Sequence, residues 1–163
     1  MSAEAVPVTS MPVRMAMSVA GGLIAGVAFI ALNSWFATST GMDPFAPFKM
    51  IATLAQGPPP ESGTVWIGMA IHLVLSILFG ILFAAITQGW AGGRTVAALG
   101  LLYGGVLYVI NFQVLSRFVE YWSAFHTSAN QPFELAAHLV FGAVLALFLI
   151  PFGRYLQPRT NAE

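Results

Sequence analysis

The chain has 163 residues, of which 58% are hydrophobic and 7% are charged, and its formal net charge is zero. Soluble domains carry about 25% charged residues, so this composition cannot cover a water-exposed surface, and lipid is the expected solvent. The neutral balance excludes a basic field for nucleic acid, and the absence of cysteine excludes disulfides, thiolate metal sites and a cysteine nucleophile.

Four apolar segments reach the length of about 20 residues that a membrane-spanning helix needs. They are residues 15–37, 65–88, 95–115 and 133–152. The apolar runs are continuous rather than alternating, which favours helices over a barrel. The first run exceeds the hydrophobic region of a cleavable signal peptide, about 7–15 residues, and is expected to stay in the membrane. We therefore predict an all-α integral membrane four-helix bundle.

Basic residues indicate the orientation, because they concentrate in cytoplasmic segments. The two tails and the second loop contain four of them, Arg14, Arg94, Arg154 and Arg159. The first and third loops contain two, Lys49 and Arg117. This bias predicts that both tails, 1–14 and 153–163, are cytoplasmic, on either side of one transmembrane domain over 15–152.

The first loop is expected to form a short interfacial helix over about 44–56. Asp43 is the predicted N-cap, with Pro44 at the first helical position, and Gly57 with the prolines after it ends the helix. Its apolar face is predicted to contain Phe45, Phe48, Ala52 and Ala55. The third loop, 117–132, is rich in aromatic residues, which suit the headgroup region. Both loops are interpreted as anchors.

The two halves of the chain resemble each other. Gly22, Gly26 and Asn33 have the same spacing as Gly100, Gly104 and Asn111, and His72-Leu-Val aligns with His138-Leu-Val. This pattern predicts two repeated helical hairpins. Small residues four positions apart share a helix face and let backbones approach closely. The predicted packing residues are Gly22, Gly26, Ser76, Gly80, Gly100, Gly104, Gly142 and Ala146.

Five polar residues of the predicted spans form a candidate site, since polar groups within a bilayer are costly. They are Asn33, His72, Asn111, Glu134 and His138. The asparagines and histidines fall at a similar depth near the outer helix ends. His72 and His138 lie on the small-residue faces, and Glu134 lies four residues before His138. We therefore expect these side chains to face the bundle.

Three interpretations of this cluster stay open. In the first, the side chains hydrogen-bond across helices, and Glu134, near position N3, satisfies free backbone N–H groups. In the second, His72 and His138 ligate a haem b, or hold a metal with Glu134. In the third, the cluster belongs to a pathway for a proton or small solute, although the inner half offers only Ser18, Ser76 and Thr87.

No phosphate-binding loop, dinucleotide fingerprint, nucleophile elbow or metalloprotease motif occurs in the chain. We therefore predict no enzymatic activity, no catalytic residue and no cofactor beyond the haem alternative. The favoured function is a structural or accessory subunit of a larger membrane complex, with lipid and other membrane subunits or further copies as partners. The alternatives are a bis-histidine electron-transfer subunit and a carrier of small solutes or protons.

The short glycine and histidine motifs of the predicted helices resemble those of uncharacterised four-helix bacterial inner-membrane proteins, the YagU-like and related domains of unknown function. The segments that carry the resemblance are Gly22-Leu-Ile-Ala-Gly26, Ile71-His72 with Gly80, Gly100 to Gly104, and His138-Leu-Val-Phe-Gly142, within residues 20–150. The resemblance implies four helices in a bacterial cytoplasmic membrane. It implies no activity and carries over no catalytic residue.

Overall fold

The computed structural model describes residues 11–88 and 93–155, and the side chains of 15–88 and 93–149. This part of the chain is built from helices without strands, which confirms the all-α prediction for it. The helices are α1 (Met11–Ser39), α2 (Ala46–Gln56), α3 (Val65–Ile86), α4 (Gly93–Phe118), α5 (Ser123–Thr127) and α6 (Gln131–Tyr155), with 3₁₀ turns at Pro60–Ser62 and Glu120–Trp122.

Within the described ranges, four helices are long and apolar enough to cross a membrane, namely α1, α3, α4 and α6. Three of them extend beyond the predicted segments, because backbone hydrogen bonding continues past the last apolar residue. The exception is α3, which ends two residues early, where the Thr87 hydroxyl donates to the Phe83 carbonyl at 2.8 Å. The predicted tails, 1–14 and 153–163, lie largely outside the described residues.

A segment of α4, Val109–Leu115, has π-helical hydrogen bonding that the sequence did not predict. A π turn contains more residues than an α turn. The side chains after Tyr108 therefore leave the register of a regular α-helix. The predicted equivalence of Asn111 in α4 with Asn33 in α1 ends at this point.

The long helices form two hairpins, α1 with α3 and α4 with α6, which meet mainly through α1 and α6. Helices α3 and α4 are joined by the Tyr103 hydroxyl, which donates to the Phe79 carbonyl at 2.9 Å. The helices are therefore arranged in the spatial order α3, α1, α6, α4.

Glycines close both hairpins at corresponding positions. A side chain on Gly22 would collide with the carbonyl of Ser76 and the Cα of Gly80, across the α1–α3 contact. Likewise, a side chain on Gly100 would collide with the carbonyl of Gly142 and the Cβ of Ala146, across the α4–α6 contact.

The next glycines along α1 and α4 lie at the same contacts. Gly26 faces the Ser76 side chain and the His72 ring, whereas Gly104 faces the backbone of His138. All eight small residues singled out in the sequence are thus at helix–helix contacts, in two corresponding sets.

Helix α2 begins later than predicted. Its N-cap is Phe45, and Pro47 rather than Pro44 lies in its first turn. The Asp43 carboxylate accepts the Phe45 N–H at 2.9 Å and the Lys49 ammonium at 2.7 Å, so it closes the preceding turn instead of capping the helix. The hydrogen bond from Lys49, followed by that from Phe45, holds the pKa of Asp43 below its ordinary value.

The predicted end of α2 is confirmed, because the helix stops at Gln56 and Gly57 follows with φ 78°. The buried face differs from the prediction. Phe45 and Ala55 are exposed, and the buried residues are Ile51, Ala52 and Thr53.

Helices α2 and α5 cover one end of the bundle, which we name the loop end. Gly68 in α3 lets the Phe48 backbone of α2 approach closely. The Thr53 hydroxyl donates to the Tyr121 carbonyl at 3.1 Å and connects α2 to the third loop. Of the aromatic residues expected in the headgroup region, Phe118 is exposed, but Phe125 is buried in a cluster with α2 and α4.

Candidate functional site

A cavity of about 140 Å³ lies between the long helices at the loop end, beneath α2 and α5. Its wall is largely apolar, and it includes all five polar residues that the sequence singled out. The polar residues of the wall are Asn33, His72, Ser76, Asn111, Ser128, Asn130, Glu134 and His138. The fold therefore brings together around one space residues that are distant along the chain.

Glu134 is buried in the first turn of α6, with its side chain 8% exposed. Its Oε2 atom has no hydrogen-bond partner in the described part of the chain, and it lies 3.9 Å from Nδ1 of His138. The predicted capping role of Glu134 is wrong, because the Asn130 side chain accepts the Phe133 N–H at 3.1 Å and caps α6 instead. The Glu134 carboxylate is therefore free to act in the cavity.

His138 is buried one turn after Glu134, and its Nδ1 lies 2.7 Å from the Glu134 carbonyl oxygen. A carbonyl oxygen can only accept, so Nδ1 carries the hydrogen of this bond. The imidazole is surrounded by aromatic rings, with centroids at 4.8 Å for Phe29, 5.2 Å for Phe112 and 6.0 Å for Tyr108. The His138 ring is therefore fixed from several sides.

His72 bonds across the first hairpin rather than within its own helix. Its Nε2 lies 3.0 Å from the Gly26 carbonyl oxygen of α1, and by the same argument Nε2 is the donor. The Ser76 hydroxyl donates to the His72 carbonyl at 2.7 Å. Because Gly26 has no side chain, α1 and α3 lie close enough for His72 to form this interhelical hydrogen bond.

The two asparagines differ in local structure. Asn33 is buried, and its Nδ2 donates to the Phe29 carbonyl at 3.2 Å, one turn back in α1. Asn111 lies in the π-helical part of α4. Single π-helical turns within α-helices are frequently found at functional sites. Both side chains line the cavity.

The cavity does not suit a haem ligated by the two histidines. The Phe29 ring packs against both imidazoles, at centroid distances of 5.9 Å from His72 and 4.8 Å from His138, and takes up space beside them that a porphyrin needs. The cavity, about 140 Å³, is close in volume to one of about 150 Å³ that holds benzene. The described residues also contain no group of three His, Cys, Asp or Glu side chains placed to hold a metal ion.

Two glutamines, Gln113 and Gln131, were missed in the sequence. Gln131 accepts the Tyr108 hydroxyl at 3.1 Å and the Gln113 amide at 3.0 Å, and it donates to the Phe125 carbonyl at 2.8 Å. This network ties α5 to α4 and α6 behind the cavity. The available signal was Gln113 itself, a polar residue within a predicted span.

At the end of the bundle opposite the loop end, the described part of the interior holds an apolar cluster instead of a cavity. Phe83, Tyr103, Phe141 and Leu145 are buried there, with Ala25 and Leu107. The polar Thr87 bonds to its own helix, at the Phe83 carbonyl. The polar lining is therefore confined to the loop end in the part of the bundle that the structure describes.

Residues 12–160 match the family of unknown function DUF6789, and the chain belongs to this family. The match agrees with the predicted resemblance to uncharacterised proteins, but it does not confirm the YagU-like name. No curated protein and no solved structure matches the chain.

Proposed function

We propose that this member of DUF6789 is a four-span membrane protein that binds a small solute in the cavity beneath α2 and α5. The observation that carries the proposal is the buried Glu134 carboxylate, whose Oε2 lacks a partner on the cavity wall. This function corresponds to the solute interpretation of the polar cluster. It requires no catalytic residue.

A purely structural role does not account for Glu134. Buried polar groups are almost always hydrogen-bonded, and an unpaired carboxylate away from water costs several kcal/mol or takes up a proton. Packing alone would be better served by an apolar side chain at this position. Residues that lower stability in this way are typical of functional sites.

In this proposal the loop end faces the outer side of a bacterial cytoplasmic membrane, an orientation that the distribution of basic residues favours. A solute would then reach the cavity from outside, past α2 and α5. The apolar cluster around Phe83 and Leu145 closes the way inward in this conformation. The geometry therefore favours binding from the outer side, and a carrier cycle would need a second conformation.

Cysteine accessibility tests this proposal, and the natural chain has no cysteine to interfere. Asn111→Cys places a thiol on the cavity wall, and Ile110→Cys places one on the adjacent residue, which is 43% exposed on the apolar outside. Ser62→Cys, on the exposed first loop, serves as the positive control. The variants are treated in intact membranes with aminoethyl methanethiosulfonate.

We expect the thiol at position 111 to react at least about tenfold faster than that at 110, because thiolates form readily only where water reaches them. The thiol at position 62 should react fastest. If positions 110 and 111 are equally unreactive while 62 is labelled, the cavity is closed to solutes and the proposal fails.

The accessory-subunit role stays a prediction. Exposed apolar side chains occur on all four long helices, for example Val27, Leu78, Leu102 and Leu147. Lipid would satisfy such surfaces as well as a protein partner would. Native mass spectrometry of the protein extracted in mild detergent distinguishes the two, since only an accessory subunit would retain a second protein.

A further inference from the structure

We infer that the solute is a small organic ammonium ion, which the Glu134 carboxylate holds in place of a proton. This inference rests on the proposed function and deepens it. It draws on the hydrogen-bonding atoms left over in the cavity wall, on the charges that face Glu134, and on the size and aromatic character of the space.

Each of the two histidine rings retains one nitrogen atom that can accept a hydrogen bond. His72 uses its Nε2 hydrogen on the Gly26 carbonyl, and His138 uses its Nδ1 hydrogen on the Glu134 carbonyl. In a neutral imidazole the second nitrogen is an acceptor. Nδ1 of His72 and Nε2 of His138 are therefore available to a donor.

The neighbouring polar groups have the same bias. The Asn33 amide uses one of its two Nδ2 hydrogens on the Phe29 carbonyl, and the Ser76 hydroxyl uses its hydrogen on the His72 carbonyl. The Ser76 oxygen and the Asn33 carbonyl oxygen therefore remain as acceptors, beside one N–H of Asn33. The amides of Asn111 and Asn130 add further donors and acceptors to the wall. A ligand that matches this set carries several hydrogen-bond donors, as an ammonium group does.

The charges point the same way. Glu134 is the one carboxylate among the described residues that line the cavity, and no Lys or Arg is among them. The titratable groups near it are His138 on its own helix, His72 on α3, and Tyr108 on α4, whose hydroxyl donates to Gln131. The described parts of α1, α2 and α5 contribute no titratable side chain to the wall.

A buried carboxylate with these neighbours is stabilised by a proton or by a cation that enters the cavity. The two compete for the same oxygen atoms. Ammonium binding therefore releases a proton from Glu134, and lowering the pH displaces the ammonium ion.

The shape of the space selects an organic cation over a metal ion. Phe29, Phe36, Phe141 and Trp122 line it, and aromatic faces attract ammonium groups while also packing against hydrocarbon. Metal cations need several oxygen ligands, which this largely apolar wall does not assemble. The volume, about 140 Å³, suits an ion about the size of benzene.

The test compares cyclopentylammonium with cyclopentanol, which has nearly the same shape without the charge. Thermal unfolding of the full-length protein in lipid nanodiscs is followed as each probe is titrated, because a ligand of the folded state raises the melting temperature. Sodium and potassium chloride are titrated in parallel. The variants are Glu134→Gln, Glu134→Asp, and Glu61→Gln as the control that removes an exposed carboxylate.

We expect cyclopentylammonium to bind the natural protein at least about tenfold more tightly than cyclopentanol, as a charge-assisted hydrogen bond implies. Glu134→Gln should abolish this preference, Glu134→Asp should keep part of it, and Glu61→Gln should leave it unchanged. Affinity for the ammonium ion should fall as the pH is lowered. The pH series needs only the natural protein, so it stands even if a variant fails to fold.

Equal affinity for the two probes, or binding that Glu134→Gln leaves intact, would overturn the ammonium assignment while solute binding stands. Protection by sodium or potassium chloride equal to that by cyclopentylammonium would also overturn it. Absence of binding by either probe overturns it as well, and the reactivity of the thiol at position 111 then shows whether the proposed function fails too.

Discussion

The two hairpins of this protein share their packing and differ in their polar chemistry. In each, a glycine pair on the first helix meets a small-residue stripe on the second, one turn beyond a histidine. The position four residues before that histidine differs. It is Gly68 in α3, where the α2 backbone packs, and Glu134 in α6, where a carboxylate lines the cavity.

The hydrogen bonds of the two histidines also differ. His72 donates across the hairpin to Gly26, and its helix carries Ser76 at the following small position. His138 donates within its own helix, to the Glu134 carbonyl, and Gly142 occupies the position that corresponds to Ser76. The comparison teaches that close helix contacts are common to both hairpins, whereas a buried carboxyl group occurs, among the described residues, in the second hairpin only.

The largest expected effect comes from filling a shared contact. Gly104→Leu would drive a side chain into the His138 backbone, which cannot move aside, so we expect a loss of about 3 kcal/mol or more in the free energy of unfolding. Gly105→Leu is the matched control, because a Cβ there meets only the end of Leu139, at 3.9 Å. Unfolding in mixed micelles measures both, and equal losses would refute the close contact at Gly104.

The next prediction compares substitutions at the position where the two hairpins differ in sequence, Gly68 in α3 and Glu134 in α6. Gly68→Ala places a methyl group against the Phe48 carbonyl and should push α2 away, at a cost of about 1–3 kcal/mol. Glu134→Ala, at the corresponding position, removes an unpaired buried carboxylate and should leave stability unchanged or raised. Thermal unfolding of the two variants measures the contrast, and a larger loss for Glu134→Ala would contradict it.

The histidines are expected to give a smaller difference. His72→Leu removes an interhelical hydrogen bond, which in membrane proteins contributes about 0.6 kcal/mol on average and up to about 1.7. His138→Leu removes a bond within one helix and should affect the hairpin contact less. His72→Gln retains a donor for the Gly26 carbonyl, so its melting temperature should lie between those of His72→Leu and the natural protein.

The smallest effect is expected at the exposed pair of Asp43 and Lys49, outside the long helices. The pKa of Asp43 is lowered in the fold, so its contribution to stability is present above its ordinary pKa of 3.8 and is lost as the pH falls through the lowered value. Asp43→Asn should therefore match the natural protein only when the pH is below the lowered pKa, and it should be slightly less stable than the natural protein at neutral pH. Melting temperatures across that range give the comparison, and a difference that grows in acid would contradict it.

Much of the helical architecture follows from local sequence. Four continuous apolar segments predict four long helices, because apolar surroundings require backbone groups to bond within their own segment. The glycine spacings predict which faces pack, since residues four apart share a face in any helix. The repeat predicts that Gly22 and Gly100 have equivalent contacts. None of these inferences depends on how the helices are arranged around one another.

The site depended on the tertiary structure. Helix geometry predicted similar depths for Asn33, His72, Asn111 and His138 and put Glu134 on the face of His138. It could not show that these residues surround one cavity or that Asn130, not Glu134, caps α6. It also missed the π-helical segment, the Gln113–Gln131 network and the covering of the cavity by α2 and α5. Helix formation is decided by neighbours along the chain, whereas a cavity and an unpaired carboxylate result from contacts between segments far apart in sequence.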